Sequence, residues 1–190
     1  GSSLRLKDLT EIPAIGCVVT SPPYPNCFDY SKIYQRELWI GDFIDGPESL
    51  KQFRNDSVQS HVHSTWNRAN KSSGSKIVEE LVVPYLAGQE MWSSRIPVML
   101  SGYFKDLGDC LLGISKKLPS GALCNFVVGN AHYSGIPVPT DLLLAELSTE
   151  CGYSVERIDV YRRIVPSAQY IRSGADLSWA RESNVVLRKV

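Results

Sequence analysis

The sequence predicts an α/β domain built on a mainly parallel sheet with helices on both faces. Short, nearly continuous apolar runs alternate with longer segments that are apolar at helical spacing. Continuous apolar runs are typical of strands buried on both sides, and right-handed crossovers between such strands produce a parallel sheet. A chain of 190 residues suits one domain, 1–190, with a substantial core.

The first half of the chain is predicted to hold one strand followed by several helices. The apolar run at 14–20 forms the strand and leads into two consecutive prolines. The segment 30–43 carries apolar side chains among charges and indicates a helix that ends at Gly41. The polar segment 46–76 is predicted as an inserted element, in which a helix begins near Pro47 and a loop follows.

The second half is predicted to alternate helices and strands. Helical spacing of apolar residues covers 76–118, and a second buried strand follows at 122–129. The segment 139–152 is the clearest helix, and Gly152 ends it. The alternating segments 153–163 and 182–190 are predicted as strands that pair antiparallel at one edge of the sheet.

Composition excludes some classes of protein and leaves others open. Twenty basic and twenty acidic residues give a formal net charge of zero, so the total charge provides no argument for nucleic-acid binding. No apolar run approaches the ~20 residues of a membrane span, and the first residues do not resemble a signal peptide. We therefore expect a cytoplasmic protein without membrane contact. The five cysteines are scattered and odd in number, which favours reduced thiols.

The most informative stretch is Thr-Ser-Pro-Pro-Tyr at 20–24, directly after the first apolar run. Pro22 and Pro23 each fix a φ angle and lack a backbone donor, so the corner is rigid and its carbonyls are free. Such a corner beside Tyr24 can hold a planar group against a ring, although a rigid strand-end turn explains it too. No Gly-rich turn follows an apolar strand, and 129–135 indicates only a strand-end loop.

This stretch resembles the (D/N/S)-P-P-(Y/F/W) motif of amino-group DNA methyltransferases. The segments 6–43, 118–163 and 181–189 also resemble bacterial modification methylases of this kind. The resemblance implies part of a Rossmann-like S-adenosylmethionine methyltransferase sheet, corresponding to its strands four to seven. The Gly-rich cofactor loop of that family is absent from the chain.

The resemblance implies roles for the residues of the corner. Ser21, Pro22, Pro23 and Tyr24 are the expected catalytic residues, and Thr20, Ser21 and Pro22 are expected to contact the cofactor. The Ser21 hydroxyl and the Pro22 carbonyl can each accept one proton of the substrate amino group, which stabilises charge that develops on its nitrogen. Tyr24 can stack on a base flipped out of double-stranded DNA. Serine at the first position favours the N4 of cytosine over the N6 of adenine.

Because the cofactor loop is absent, we expect the chain to be the catalytic part of a larger or split enzyme. S-adenosylmethionine should then bind this chain weakly or not at all. An inactive fragment that serves as an interaction module, or a methyltransferase for RNA or protein, is the alternative. The strand at 14–20 would be an open sheet edge, so a homodimer, a missing N-terminal part or the fold-back of 1–13 should cover it.

Local clusters of basic residues are candidates for DNA contact despite the neutral total. Solvated surface is the alternative for each of them. We do not expect a metal site, because His61 and His63 have no acidic or cysteine partner close in sequence. The candidate residues for DNA contact are Arg54, His61, His63, Arg68, Lys71, Arg162 and Arg163.

Overall fold

The computed structural model describes residues 2–10, 15–63, 75–164 and 176–190. It holds strands β1 (Cys17–Thr20), β2 (Leu123–Gly129), β3 (Ala131–Tyr133), β4 (Ile136–Val138), β5 (Tyr153–Arg163) and β6 (Arg181–Lys189). Its helices are α1 (Tyr30–Ile33), α2 (Gln35–Ile40), α3 (Pro47–Asn55), α4 (Val83–Ala87), α5 (Ile96–Ser115) and α6 (Thr140–Glu150). Short 3-10 turns lie at Ser3–Asp8 and Leu177–Trp179, and a π-helical turn at Val78–Val82 precedes α4.

The main sheet has four strands in the order β1-β2-β6-β5. β1 pairs parallel with β2, whereas β6 lies antiparallel between β2 and β5. β1, β2 and β5 therefore run in one direction, and their carboxyl ends meet at the edge where β6 begins. The predicted antiparallel pair of C-terminal strands is confirmed, and β5 forms the outer edge.

The predicted α/β class is confirmed, with three differences in detail. β1 begins at Cys17, which shortens the strand predicted from residue 14. The helix predicted at 30–43 is divided at Tyr34 into α1 and α2, and it ends before Gly41 as expected. The segment 129–135 is not a plain loop, because β3 and β4 form a hairpin across Ser134 and Gly135, which both have positive φ.

The core lies between the sheet and the two long helices α5 and α6. α5 carries Pro97 in its first turn, where its missing N–H costs nothing. The fully buried side chains of Phe104, Leu107 and Leu111 on α5 belong to the same core as Phe126 of β2. Burying each such side chain contributes about 1.5–3 kcal/mol.

The helices α5 and α6 share one core with the sheet, and apolar side chains beside β1 are exposed. α6 packs against β2, β5 and β6, and α5 packs against α6 and the turn at Ser3–Asp8. On the opposite face Val19 is 74% exposed and Leu123 is 37% exposed. The chain therefore leaves apolar surface open on that side of β1.

The cysteines form no disulfide. All five are free thiols: Cys110, Cys124 and Cys151 are buried, Cys27 is half-buried and Cys17 is exposed. Within the described ranges, none of the helices combines the length and the apolar character that crossing a membrane requires. The division into one domain over 1–190 with an inserted element at 46–76 stays a prediction.

Candidate active site at the carboxyl edge of the sheet

The sheet brings four distant segments together at its carboxyl edge. Ser21 to Tyr24 follow β1 directly, and β2 ends nearby at Gly129. β5 ends at Arg163, and β6 begins at Arg181 beside it. Open α/β sheets bind ligands in the crevice at this edge. The corner predicted from the sequence therefore lies where such a site forms.

Tyr24 is held by both its hydroxyl and its ring. The hydroxyl donates a hydrogen bond to Oε1 of Glu182, at the start of β6. The ring packs against Gly129, where an added Cβ would lie 2.8 and 2.9 Å from its Cδ2 and Cε2 atoms. Gly129 therefore provides the space that the ring occupies, and Glu182 sets its direction.

Ser21 is exposed and lies within reach of two acceptors in the protein. Its Oγ is 3.1 Å from the backbone oxygen of Val127 and 3.4 Å from the Tyr24 hydroxyl. A serine hydroxyl has one hydrogen and two acceptor lone pairs. When that hydrogen is directed to either protein oxygen, the lone pairs remain available to accept a hydrogen bond from a ligand.

A cavity of about 390 Å³ adjoins the corner. Thr20, Ser21, Pro22 and Pro23 line one side of it. The rest of its wall is mostly apolar and comes from the turn at Ser3–Asp8, from β1, from β2 and from α5. Such a wall can accept a largely apolar or planar group.

The lining of this cavity does not form a complete site for S-adenosylmethionine. Its polar side chains are those of Ser3, Thr20, Ser21 and Lys117. None of them is a carboxylate that could bind ribose hydroxyls or an ammonium group. The lining of this cavity therefore does not fit the whole cofactor.

The contacts at the carboxyl edge of the sheet shift the pKa values of Glu182 and Tyr24 in opposite directions. The hydrogen bond from Tyr24 and the contact with Arg162 hold the pKa of Glu182 below its usual value. Burial, together with the bond to this carboxylate, raises the pKa of Tyr24 to about 12. At neutral pH the site therefore contains an ionised carboxylate and a protonated phenol.

The residues after the corner are fixed to the rest of the fold. The Tyr133 hydroxyl of β3 donates a hydrogen bond to the Pro25 carbonyl. The Cys27 amide donates to the Ser60 carbonyl at 3.0 Å. Asp29 then caps α1 through the amide of Lys32. These contacts keep the chain rigid beyond Tyr24.

The DNA contacts predicted for Arg54 and His61 stay predictions, and both side chains have partners within the protein. His61 is only 4% exposed, and its Nε2 lies 3.6 Å from Oδ1 of Asp29. Arg54 directs its Nε to Asp29 at 3.2 Å and to Ser31 at 3.0 Å. Both side chains connect α1 to the following segments, because a buried carboxylate requires hydrogen-bonding partners. His61 therefore does not present its ring to solvent.

The other predicted basic residues have different environments. His63 and Arg163 are exposed, and the side chain of Arg162 is 70% exposed while its Nε contacts Glu182. Arg68 and Lys71 lie outside the described residues. No group of three or more potential metal ligands was found among the described residues.

Sequence reasoning missed Glu182 and Gly129. Both lie within segments that the resemblance covers, but nothing in their local pattern indicates contact with Tyr24, which is more than 100 positions away. The local pattern shows only that Glu182 is an acidic residue at the start of an apolar strand. Strand pairing places Gly129 opposite Glu182, and this placement could not be derived from spacing.

The comparisons with known proteins identify relatives of most of the chain. No protein-family model matches it. The type II methyltransferase M.AvaI of Nostoc sp. is 27% identical over 168 residues, which cover 83% of this chain and 34% of that protein. The type II methyltransferase M.BsoBI of Geobacillus stearothermophilus is 23% identical over 164 residues, which cover 74% of this chain and 32% of that protein.

The chain was also compared with a solved structure from Thermus thermophilus that is described as a candidate DNA modification methylase. The superposition covers all of this chain and 50% of that structure. The TM-score is 0.45 and the sequence identity is 13%. Among the curated relatives, the chain spans about a third of the length of each. The chain is therefore similar in sequence to type II methyltransferases over about one third of their length.

Proposed function

We propose that the chain is the part of a site-specific DNA methyltransferase that binds and activates the target base. The proposed reaction transfers a methyl group from S-adenosylmethionine to the N4 amino group of a flipped cytosine. The observation that carries the proposal is the position of Ser21. It lies exposed at the carboxyl end of β1, with two protein acceptors for its single hydrogen.

The amino group of a nucleobase is a poor nucleophile, because its lone pair is delocalised into the ring. Ser21 Oγ and the Pro22 carbonyl can accept the two amino hydrogens and favour a tetrahedral nitrogen. These acceptors stabilise the positive charge that develops when the nitrogen attacks a methyl group. Pro23 lacks an N–H, so no donor from that residue competes for the acceptors.

Tyr24 is proposed to contact the flipped base through its ring. Stacking of a base on an aromatic side chain contributes about 1–3 kcal/mol. The contacts with Gly129 and Glu182 hold the ring before the base arrives. The base therefore meets a pre-formed surface, and little ordering of Tyr24 has to accompany binding.

Arg162 and Arg163 are proposed to contact the DNA backbone. Both lie at the carboxyl end of β5, on the same edge of the sheet as Ser21. Arg68, Lys71 and His63 remain further candidates on the segment that follows α3. Such contacts fix the position of the duplex, and they carry little information about its sequence.

The choice of cytosine over adenine rests on Ser21 alone. N6-adenine methylation is the runner-up, because the same two acceptors can bind either amino group. A second class of function is an inactive methyltransferase fragment that acts as an interaction module. The open face around Val19 is the observation that favours it.

The proposal is tested by transfer of tritium from labelled S-adenosylmethionine to unmethylated DNA. Cofactor at millimolar concentration compensates for weak binding, and nucleoside analysis distinguishes N4-methylcytosine from N6-methyladenine. We expect label in cytosine and its loss in Ser21→Ala. The control is Ser154→Ala, on an exposed part of β5. A folded wild-type chain that binds S-adenosylmethionine but labels no DNA would support the interaction module, and label in RNA or protein would support those substrates.

Binding of the cofactor can be measured separately by calorimetry. We predict weak or absent binding of S-adenosylmethionine, because no Gly-rich turn supplies backbone donors and the cavity beside Ser21 has no carboxylate. A dissociation constant in the micromolar range for this chain alone would contradict the prediction. Such a result would mean that the chain holds the cofactor without a further part.

A further inference from the structure

Three residues lie at the same level of three neighbouring strands beside Tyr24. Gly129 of β2 pairs with Glu182 of β6, and Glu182 pairs with Arg162 of β5. The register of β5 shifts between Val160 and Arg162. Such a shift marks a β-bulge or another irregularity of pairing, and β-bulges commonly re-aim a side chain next to a functional site.

Both carboxylate oxygens of Glu182 accept hydrogen bonds from neighbouring residues. Oε1 accepts the hydrogen bond from the Tyr24 hydroxyl, and Oε2 accepts one from Arg162 Nε at 2.6 Å. The side chain of Glu182 is 14% exposed, whereas that of Arg162 is 70% exposed. A largely buried carboxylate therefore connects the corner after β1 with a cation on the surface.

The ionised carboxylate decides the direction of the hydrogen bonds around it. A carboxylate can only accept, so the Tyr24 hydroxyl has to donate its hydrogen to Glu182. The oxygen of Tyr24 then offers only lone pairs to Ser21, 3.4 Å away. Ser21 accordingly donates to Tyr24 or to the Val127 carbonyl and keeps its own lone pairs for a ligand.

We propose that Glu182 is a positioning residue of this site. Its carboxylate holds the Tyr24 ring in place and makes Ser21 an acceptor toward the amino group of the substrate. Glu182 itself does not contact the substrate. The inference rests on the proposed function only in the identity of the ligand, because the chain of contacts from Glu182 to Ser21 belongs to the protein alone.

The same pair of strands supplies a matched control. Glu156 of β5 accepts a hydrogen bond from Arg188 of β6 at 2.7 Å, near the opposite end of the ladder. The side chains of Arg188 and Glu156 are 43% and 34% exposed. Glu156→Gln therefore removes a cross-strand carboxylate of the same type that has no contact with the corner.

The first experiment follows the titration of Tyr24 by NMR in protein labelled with ¹³C at the ζ carbon of tyrosine. The Tyr24 signal is identified by its absence in Tyr24→Phe. In Glu182→Gln we expect the pKa of Tyr24 to fall from about 12 toward the ordinary value of 10.0. Removal of the negative charge makes the phenolate easier to form, and Glu156→Gln should leave the titration unchanged.

The second experiment measures methyl transfer at the same millimolar concentration of cofactor in every variant. The amide of glutamine both donates and accepts, so Glu182→Gln no longer enforces the direction of the bond to Tyr24. We expect kcat to fall about tenfold, the effect of one charge-assisted hydrogen bond, with KM for DNA within about twofold. Tyr24→Phe combined with Glu182→Gln should be little worse than either single change, because both break the same contact.

The outcomes separate this inference from the proposed function. An unchanged Tyr24 titration in Glu182→Gln overturns the positioning role, whatever the activity. An unchanged kcat overturns it as well, and a rise in KM alone shows that Glu182 acts on DNA binding instead. A wild-type chain that transfers no methyl group while Tyr24 responds to Glu182→Gln overturns the proposed function and leaves the contact between the two residues established.

Discussion

The ring of Tyr24 shows how one residue of the corner depends on distant parts of the chain. Its face packs on Gly129, and its hydroxyl reaches Glu182. Glycine is required at 129 for close approach, since the backbone there leaves no room for a side chain beneath the ring. A small residue at the end of β2 therefore determines where an aromatic ring after β1 can lie.

Gly129→Ala should displace the Tyr24 ring and destabilise the fold. The new Cβ would lie 2.8 Å from the ring, and overpacking of this kind costs about 1–3 kcal/mol. Urea unfolding measures the change, and the Tyr24 NMR signal reports the displacement. Gly16→Ala is the control, because no atom lies within 4 Å of a Cβ at that position. Equal stability of both variants would contradict the prediction.

The start of α6 is tied to the sheet by polar contacts inside the core. Asp141 is fully buried and accepts hydrogen bonds from Arg181 Nε and Ser183 Oγ of β6, each at 2.8 Å. Its own amide donates to the side chain of Asn130 at 3.1 Å. The segment after β2, the first turn of α6 and the beginning of β6 are thereby held together, next to the proposed site.

Asp141→Ala should destabilise the protein strongly. Removal of one partner leaves Arg181 without its buried acceptor, and a broken buried pair costs about 3–5 kcal/mol. Asp159→Ala is the matched control, since Asp159 pairs with Arg157 on an exposed face of β5 and such pairs contribute about 0–1 kcal/mol. The two free energies of unfolding are compared in urea. A similar loss in both variants would show that the buried contacts do not hold α6 in place.

At the scale of the whole molecule, β1 forms one edge of the described sheet. β1 pairs only with β2 in the described sheet, so its other side has no strand partner among the described residues. Cys17 and Val19 are exposed on its outer face. The turn at Ser3–Asp8 packs on α5, at one wall of the cavity beside β1. An open apolar edge of this kind recruits another strand or aggregates unless something covers it.

We predict that the isolated chain forms a homodimer through the β1 edge. Val19→Lys should weaken the dimer, because a charge on the outer face opposes its burial. Val160→Lys, on the exposed face of the edge strand β5, should have no effect. Sedimentation equilibrium at several concentrations measures the association. A strict monomer in which the amides of residues 17–20 exchange slowly would mean that the chain covers its own edge, through the 1–13 segment.

The sequence by itself determined the order of strands and helices, because apolar periodicity is a local property. It also located Ser21 to Tyr24, since consecutive prolines after a buried strand restrict the backbone wherever the strand lies. Tertiary structure alone decided that Glu182 and Gly129 surround Tyr24, because these contacts depend on pairing between β2, β5 and β6. Burial likewise determined the environment of His61. Its polar surroundings in sequence suggested a DNA contact or a solvated loop, but its ring is buried, with Nε2 3.6 Å from Oδ1 of Asp29. Local patterns specify elements, whereas contacts across the sheet arise only when separate elements pack.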